Sequence, residues 1–208
     1  WSALDHPNVL RFLGTSLDLA LSPALITPFY GSGSIMKYLT GTPRSSQERL
    51  GFVQGIARGL AYHHSQSIVH GNLTTVKFLV SDAGLPVICG YGLASISSHL
   101  AKNTTTSSSK RFTAPEYLVD ESTRRTTPGD VYSFSMVLLE VMSGVRPYDN
   151  IPHELNVVFH VLPGGRPSRS DNPRFVTDHF WRFLEGLWHH QPTLRPEMDH
   201  VILMLQSL

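Results

Sequence analysis

Cysteine is almost absent: Cys89 is the only one in 208 residues. A single thiol excludes an internal disulfide framework and suits a reducing intracellular compartment. An excess of charge of either sign is lacking as well, with 17 basic residues against 16 acidic ones and 11 histidines uncounted. Nothing therefore marks the chain as a binder of nucleic acid or of membrane surfaces. Long apolar runs are lacking too: Met136 to Met142 is the longest, is interrupted by Glu140, and is far too short to span a bilayer. No signal-peptide pattern opens the chain. A soluble, cytoplasmic protein is the resulting expectation. The chain begins at Trp1 rather than Met, which reads as a fragment or an incomplete gene product.

What is present fits a single domain large enough to bury a real core. His6-Pro7-Asn8-Val9 reads as a Pro-marked turn running into an apolar strand from Leu10 to Gly14. A second strand, Ala24 to Phe29, leads into the turn Gly31-Ser32-Gly33-Ser34 and a short amphipathic piece from Ile35 to Leu39. Ser45 and Glu48 form a capping-box pattern, so a helix starts there. Its apolar stripe, Leu50, Val53, Ile56, Ala57, Leu60 and Ala61, carries it to His64. Gly51, Gly55 and Gly59 recur every fourth residue on that helix and permit close packing, while Gln54 and Arg58 argue against a membrane dimer motif. Leu79-Val80 and Val87-Ile88 flank the turn formers Asp82 and Gly84, which predicts a hairpin. The polar run from Thr104 to Ser109 reads as a mobile loop. The segment from Asp130 to Glu140 is apolar on nearly every face and belongs at the centre of a domain. Helical patterns follow near Leu155 to Val161, Val176 to Trp188 and Glu197 to Leu205.

The segment Val69 to Val80 reads Val-His-Gly-Asn-Leu-Thr-Thr-Val-Lys-Phe-Leu-Val, and Gly90-Tyr91-Gly92-Leu93-Ala94 lies beyond it. Together with His6-Pro7-Asn8, Ala114-Pro115-Glu116, Asp130-Val131-Tyr132-Ser133-Phe134 and Leu194-Arg195-Pro196, this order resembles the protein-kinase superfamily. The run from Asp130 to Val141, with Arg146-Pro147-Tyr148, is most similar to the tyrosine-kinase-like Ser/Thr kinases. The resemblance implies an α+β protein-kinase fold, mainly the α-helical large lobe with remnants of the small-lobe sheet. Residues 1–30 correspond to the end of the small lobe and the hinge, and residues 31–208 to the large lobe. On this resemblance the N-terminal part of the small lobe is expected to be missing.

The same resemblance implies a set of chemical losses. The position of the catalytic base Asp holds Asn72, the metal-binding Asn is Lys77, the metal-binding Asp is Gly90, and the phosphate-contacting Lys is Thr74. An amide does not take up a proton near neutral pH, and loss of a general base alone costs about 100- to 10,000-fold. Gly90 offers no oxygen ligand of the kind that Mg needs. Lys77 puts a cation where a metal ligand belongs. Gly71 stands where many kinases carry an Arg that pairs with a phosphorylated activation loop. The resemblance leaves a remnant of a nucleotide pocket at Thr27, Phe29, Tyr30, Leu79 and Cys89. Four residues keep supporting roles: His70 in the core, Glu116 and Arg195 as a buried ion pair, and Asp130 as acceptor for the catalytic-loop backbone. Helix N-terminal capping is the plainer role for Asp130.

No metal site is expected, since His63-His64, His189-His190 and His153-Glu154 lack zinc-ligand spacing. No cofactor is expected either, with ATP and Mg entering only if nucleotide binding persists. The implied function is that of a pseudokinase, an interaction or allosteric module binding other proteins through the large-lobe surface, with no nucleic-acid or membrane partner. Two alternatives stay open: an ATP-using protein kinase with a non-standard active site, and a truncated, non-functional kinase fragment.

Overall fold

The computed structural model describes residues 2–18, 24–90, 107–172 and 176–208. Among them, seven α-helices and two two-stranded antiparallel sheets give a helix-rich α+β fold. The first sheet pairs β1 (Gly14–Ser16) with β2 (Ala24–Ile26), Thr15 facing Leu25. Both strands are shorter than the sequence pattern predicts. Before β1 the chain is tied by Leu10 N–H to the Ile88 carbonyl at 2.8 Å and by Leu13 N–H to the Ile26 carbonyl at 2.9 Å, but the paired strand begins at Gly14. At the other end β2 stops after Ile26, two residues before Pro28, which has no N–H to offer a ladder.

Helix α1 (Ile35–Gly41) starts at the Ser34 cap and buries Ile35 and Leu39. Helix α2 (Ser46–Ser65) begins at the full capping box, with Ser45 Oγ accepting from Glu48 N–H and Glu48 Oε2 accepting from Ser45 N–H. The glycines of α2 divide by surroundings. A Cβ on Gly59 would sit 2.6 Å from the Asn8 carbonyl oxygen and one on Gly55 2.5 Å from Pro86 Cγ, whereas one on Gly51 would meet open space. Gly55 and Gly59 therefore let α2 lie directly on the second sheet, and Gly51 does not contribute.

That sheet pairs β3 (Phe78–Val80) with β4 (Pro86–Ile88), Phe78 facing Ile88. Asn8, buried to 2 % exposure, clamps it to the N-terminal segment: its side-chain amide donates to the Pro86 carbonyl at 2.8 Å and its own carbonyl accepts from Ile88 N–H at 2.9 Å. Of the predicted loop between Thr104 and Ser109, residues 104–106 lie outside the described residues, and Ser107–Phe112 forms a 3₁₀ helix. Helix α3 (Pro115–Val119) follows it.

Helix α4 (Thr127–Ser143) is buried at almost every position and is the hub of the core. Thr126 caps its start and left-handed Gly144 ends it at φ 74°. Helices α5 (Glu154–Val161), α6 (Asp178–Leu187) and α7 (Met198–Gln206) complete the helical body, with α6 packed on α4 and α7 on α2. Helix α6 starts at Asp178 because Thr177 caps it, its hydroxyl accepting from Phe180 N–H. Among the described residues no helix is long and apolar enough to cross a membrane.

Candidate functional site

The β3–β4 ribbon presents two loops side by side: residues 70–77 enter β3, and Gly90 lies two residues beyond the end of β4. The first loop is fixed from below by Asp130, in the first turn of α4 and 1 % exposed. Its Oδ2 accepts from His70 N–H and its Oδ1 from Gly71 N–H, both at 2.8 Å. His64 Nε2 lies 3.1 Å from Oδ2 as a third neighbour. Gly71 has φ 76°, a left-handed conformation for which glycine has no Cβ penalty. Two backbone donors on one carboxylate thus fold the loop around the start of α4.

His70 is fully buried and locks the second loop to the first. Its Nδ1 accepts from Asn72 N–H at 3.3 Å, which leaves the proton on Nε2 to donate to the Cys89 carbonyl at 3.1 Å. Burial holds its pKa below the ordinary histidine value, against the opposing pull of Asp130, so the ring is neutral at pH 7. Cys89 in turn donates its N–H to the Lys77 carbonyl at 2.9 Å. Burial pushes its thiol upward, with Lys77 opposing, so the thiolate needed for reactivity is scarce.

Asn72 is exposed above this frame, and Thr74 is buried with its hydroxyl unpartnered among the described residues. Lys77 ends a 3₁₀ turn, Thr75–Lys77, and its side chain runs across Gly90. A Cβ at Gly90 would lie 3.3 Å from both Cδ and Nζ of Lys77. A cation and a residue with no side chain therefore share the place where the resemblance puts two metal ligands. The oxygen ligands that Mg requires are not supplied by these two residues, so the site does not fit that metal.

The resemblance assigns Thr27, Phe29, Tyr30, Leu79 and Cys89 to a remnant nucleotide pocket, and the structure places them as follows. Leu79 is half-buried in β3 and bridges to Ser34, and Tyr30 closes the turn to Gly33 that leads there. Phe29 is 89 % exposed, and no hydrogen bond among the described residues ties it or Thr27 to the ribbon. Tyr91 and Gly92 lie outside the described residues. A shallow hollow between α2 and α7, lined by Gln54, Ala57, Arg58, Ile202, Leu205 and Gln206, contains none of these positions.

Glu116 and Arg195 meet across the body. Arg195 Nη1 and Nη2 donate to Glu116 Oε1 and Oε2 at 2.7 and 2.9 Å, a two-pronged pair whose guanidinium also donates to the carbonyls of Pro128, His189 and His190. Three supports carried no sequence signal. Arg111, 1 % exposed, donates to Glu154 and to the carbonyls of Pro147, Tyr148 and Ile151, pinning the segment before α3 to α5. Thr75 Oγ1 donates to Glu140, whose carboxyl is raised by burial. His64 joins Asp130 as described above.

The chain is 28 % identical over 209 residues to the probable serine/threonine-protein kinase drkD of Dictyostelium discoideum, covering 99 % of this chain and 16 % of that protein. It is 27 % identical over 212 residues to serine/threonine-protein kinase CTR1 of Arabidopsis thaliana, covering 99 % and 25 %. To serine/threonine-protein kinase STY17 of the same plant it is 28 % identical over 207 residues, covering 98 % and 35 %. The chain thus spans about a third or less of the length of these relatives. The model of the protein tyrosine and serine/threonine kinase family matches residues 1–205, and the chain belongs to that family.

Proposed function

We propose that this domain is a pseudokinase of the tyrosine-kinase-like group that works without phosphoryl transfer, as an interaction or allosteric module binding other proteins through its large lobe in the cytoplasm. On this reading residues 1–30 are the end of the small lobe with the hinge and residues 31–208 the large lobe. The observation that carries it is Lys77 lying across Gly90. Phosphoryl transfer depends on positioning and on metal ions that neutralise developing charge. Here one metal ligand is replaced by hydrogen and the other by a cation, and Asn72 supplies no base. Against these losses stand intact supports, Asp130 under the loop and Arg195 on Glu116. A fold that keeps its supports without its reactive groups is suited to binding.

The test is a transfer assay on purified protein with radiolabelled ATP, Mg or Mn, and several protein substrates, run beside an active kinase. No incorporation above background is the expected result. Transfer that follows this chain through purification would overturn the reading. It would favour an ATP-dependent Ser/Thr kinase with a non-standard site, a reading that the printed names of the relatives support.

A further inference from the structure

We infer that the hollow between α2 and α7 is a docking site for the C-terminus of a partner protein, with the terminal carboxylate on Arg58 and the last side chain, a branched aliphatic one, on the apolar lining beside it. The inference deepens the reading above that the large lobe binds other proteins, and it rests on that reading for its choice of occupant.

The hollow has two halves. Its apolar lining is Ala57 and Leu205, both buried, with half-buried Ile202. Its polar lining is Arg58, Gln54 and Gln206, and no acidic side chain among the described residues lines it. All six residues stand on two helices packed against each other, so the halves keep their relative placement without a loop having to order. The space between them is about 80 Å³. Pockets that enclose a cofactor or a drug-sized ligand run to roughly 300–1,000 Å³, so this one takes a single side chain of something larger. Arg58 is exposed and forms neither an ion pair nor a hydrogen bond among the described residues. Its positive charge is therefore uncompensated at the rim, and a planar guanidinium holds a carboxylate by two parallel hydrogen bonds. Gln54 spends one amide N–H on the Leu205 carbonyl, at a long 3.5 Å, and the Gln206 side chain makes no hydrogen bond among the described residues. These two amides can donate to a carboxylate oxygen or accept from a peptide N–H. A guanidinium fits phosphate as well, but phosphate brings up to two charges to one cation and no alkyl group to cover Ala57, Ile202 and Leu205. An Asp or Glu side chain likewise leaves that lining in water. In a C-terminal residue the carboxylate and the side chain leave the same Cα, so one residue meets both halves, in a recurring mode of peptide recognition.

Three probes are titrated into the full chain and followed by amide chemical shifts: the tripeptide acetyl-Gly-Gly-Leu with a free C-terminal carboxylate, the same tripeptide as its C-terminal amide, and 4-methylpentanoate, which carries the carboxylate and branched chain without a peptide. Variants R58Q and R58K are measured in parallel with R182Q, an exposed arginine of α6 outside the hollow, and thermal melts show that all three fold. The expected result is saturable binding of the free acid with Kd in the range of about 1 mM or tighter, with shifts centred on residues 54–58 and 202–206. The amide and 4-methylpentanoate are each expected to bind at least about tenfold more weakly, R58Q to weaken the free acid by a similar factor, R58K to weaken it less, and R182Q to leave it unchanged. Binding of the amide as tight as that of the free acid overturns the inference, and so does binding that R58Q leaves unchanged. Equal binding of 4-methylpentanoate overturns it too, since the hollow would then be a site for a free aliphatic acid. No shifts in the hollow up to about 10 mM of the free acid have the same consequence. The transfer assay is independent. No peptide binding with no transfer removes this site and leaves the pseudokinase reading standing, whereas Arg58-dependent peptide binding with transfer keeps the site and overturns that reading.

Discussion

Arg195 holds Glu116 by two parallel hydrogen bonds at 2.7 and 2.9 Å, joining the residue before Pro196 to the first turn of α3. The Arg195 side chain is fully buried, and its remaining donors are spent on backbone carbonyls of Pro128, His189 and His190. Removing one partner leaves the other charge buried without compensation, which costs about 3–5 kcal/mol. Arg195→Ala is therefore expected to destabilise the domain by that amount in urea unfolding. Arg195→Lys recovers less than half, because an ammonium does not reproduce a planar fork that serves a carboxylate and three carbonyls together. A loss under about 1 kcal/mol in Arg195→Ala would show that the pair carries little of the stability.

Acidification is expected to weaken the fold between pH 7 and pH 5. Burial lowers the pKa of His63 to about 3 and also lowers that of His70. Both folded-state values lie below the unfolded value near 6.5, so as pH falls the unfolded chain takes up protons first and gains population. His63 alone accounts for roughly 2 kcal/mol over that interval. Glu140 acts in the opposite sense, since burial raises its carboxyl and its protonated form favours the folded state. Burial lowers the pKa of His6 as well, and three histidines against one carboxyl leave a net loss. Urea midpoints measured from pH 7 to pH 5 check this, with His63→Leu expected to flatten the slope whatever its effect on absolute stability. A midpoint that does not move would refute it.

Two glycines on one helix should respond to alanine with opposite sign. Gly51 is exposed, and a Cβ there meets nothing within 4 Å, so Gly51→Ala is expected to stabilise by about 0.5–1 kcal/mol through the lost flexibility of the unfolded chain. Gly59 faces the Asn8 carbonyl, a backbone atom that cannot swing aside, and Gly59→Ala is expected to destabilise by about 1–3 kcal/mol. Thermal melts of the two variants decide it. Equal shifts would mean that α2 is not pressed onto the N-terminal segment.

Features written in local sequence were legible. The capping box at Ser45 and Glu48 gave the start of α2, the turn formers Asp82 and Gly84 gave the β3–β4 hairpin, and the unbroken apolar run gave the central helix α4. Strand lengths were less so: Leu10 to Leu13 has the composition of a strand, yet the paired strand begins only at Gly14. Arg111 was invisible for a different reason: its partners are mostly carbonyls of residues 147–151, far along the chain, and a carbonyl carries no side-chain pattern. Asn72, Lys77 and Gly90 were placed by motif order, but that order does not say where a lysine side chain points. Its course over Gly90 follows from the left-handed backbone at Gly90, φ 74°, and from the space that a missing Cβ leaves there.

That course allows a reciprocal exchange. Lys77→Asn removes the cation from above Gly90, and Gly90→Asp supplies a carboxylate in the space it vacates. Asp is among the residues that tolerate a left-handed backbone, and the strain costs about 1–2 kcal/mol. The double variant is expected to bind Mn²⁺ in the millimolar range, read as paramagnetic broadening of the amide signals of residues 72–77 and 88–90, while the original chain shows none. Gly90→Asp alone is expected to behave differently. Its new carboxylate lies within reach of Lys77 Nζ and pairs with it, so metal binding stays absent and the melting temperature falls only by the part of the backbone strain that the pair does not offset. If the single variant bound Mn²⁺ as well as the double one, Lys77 would not be what keeps the metal out, and the loss of the carboxylate alone would account for the site.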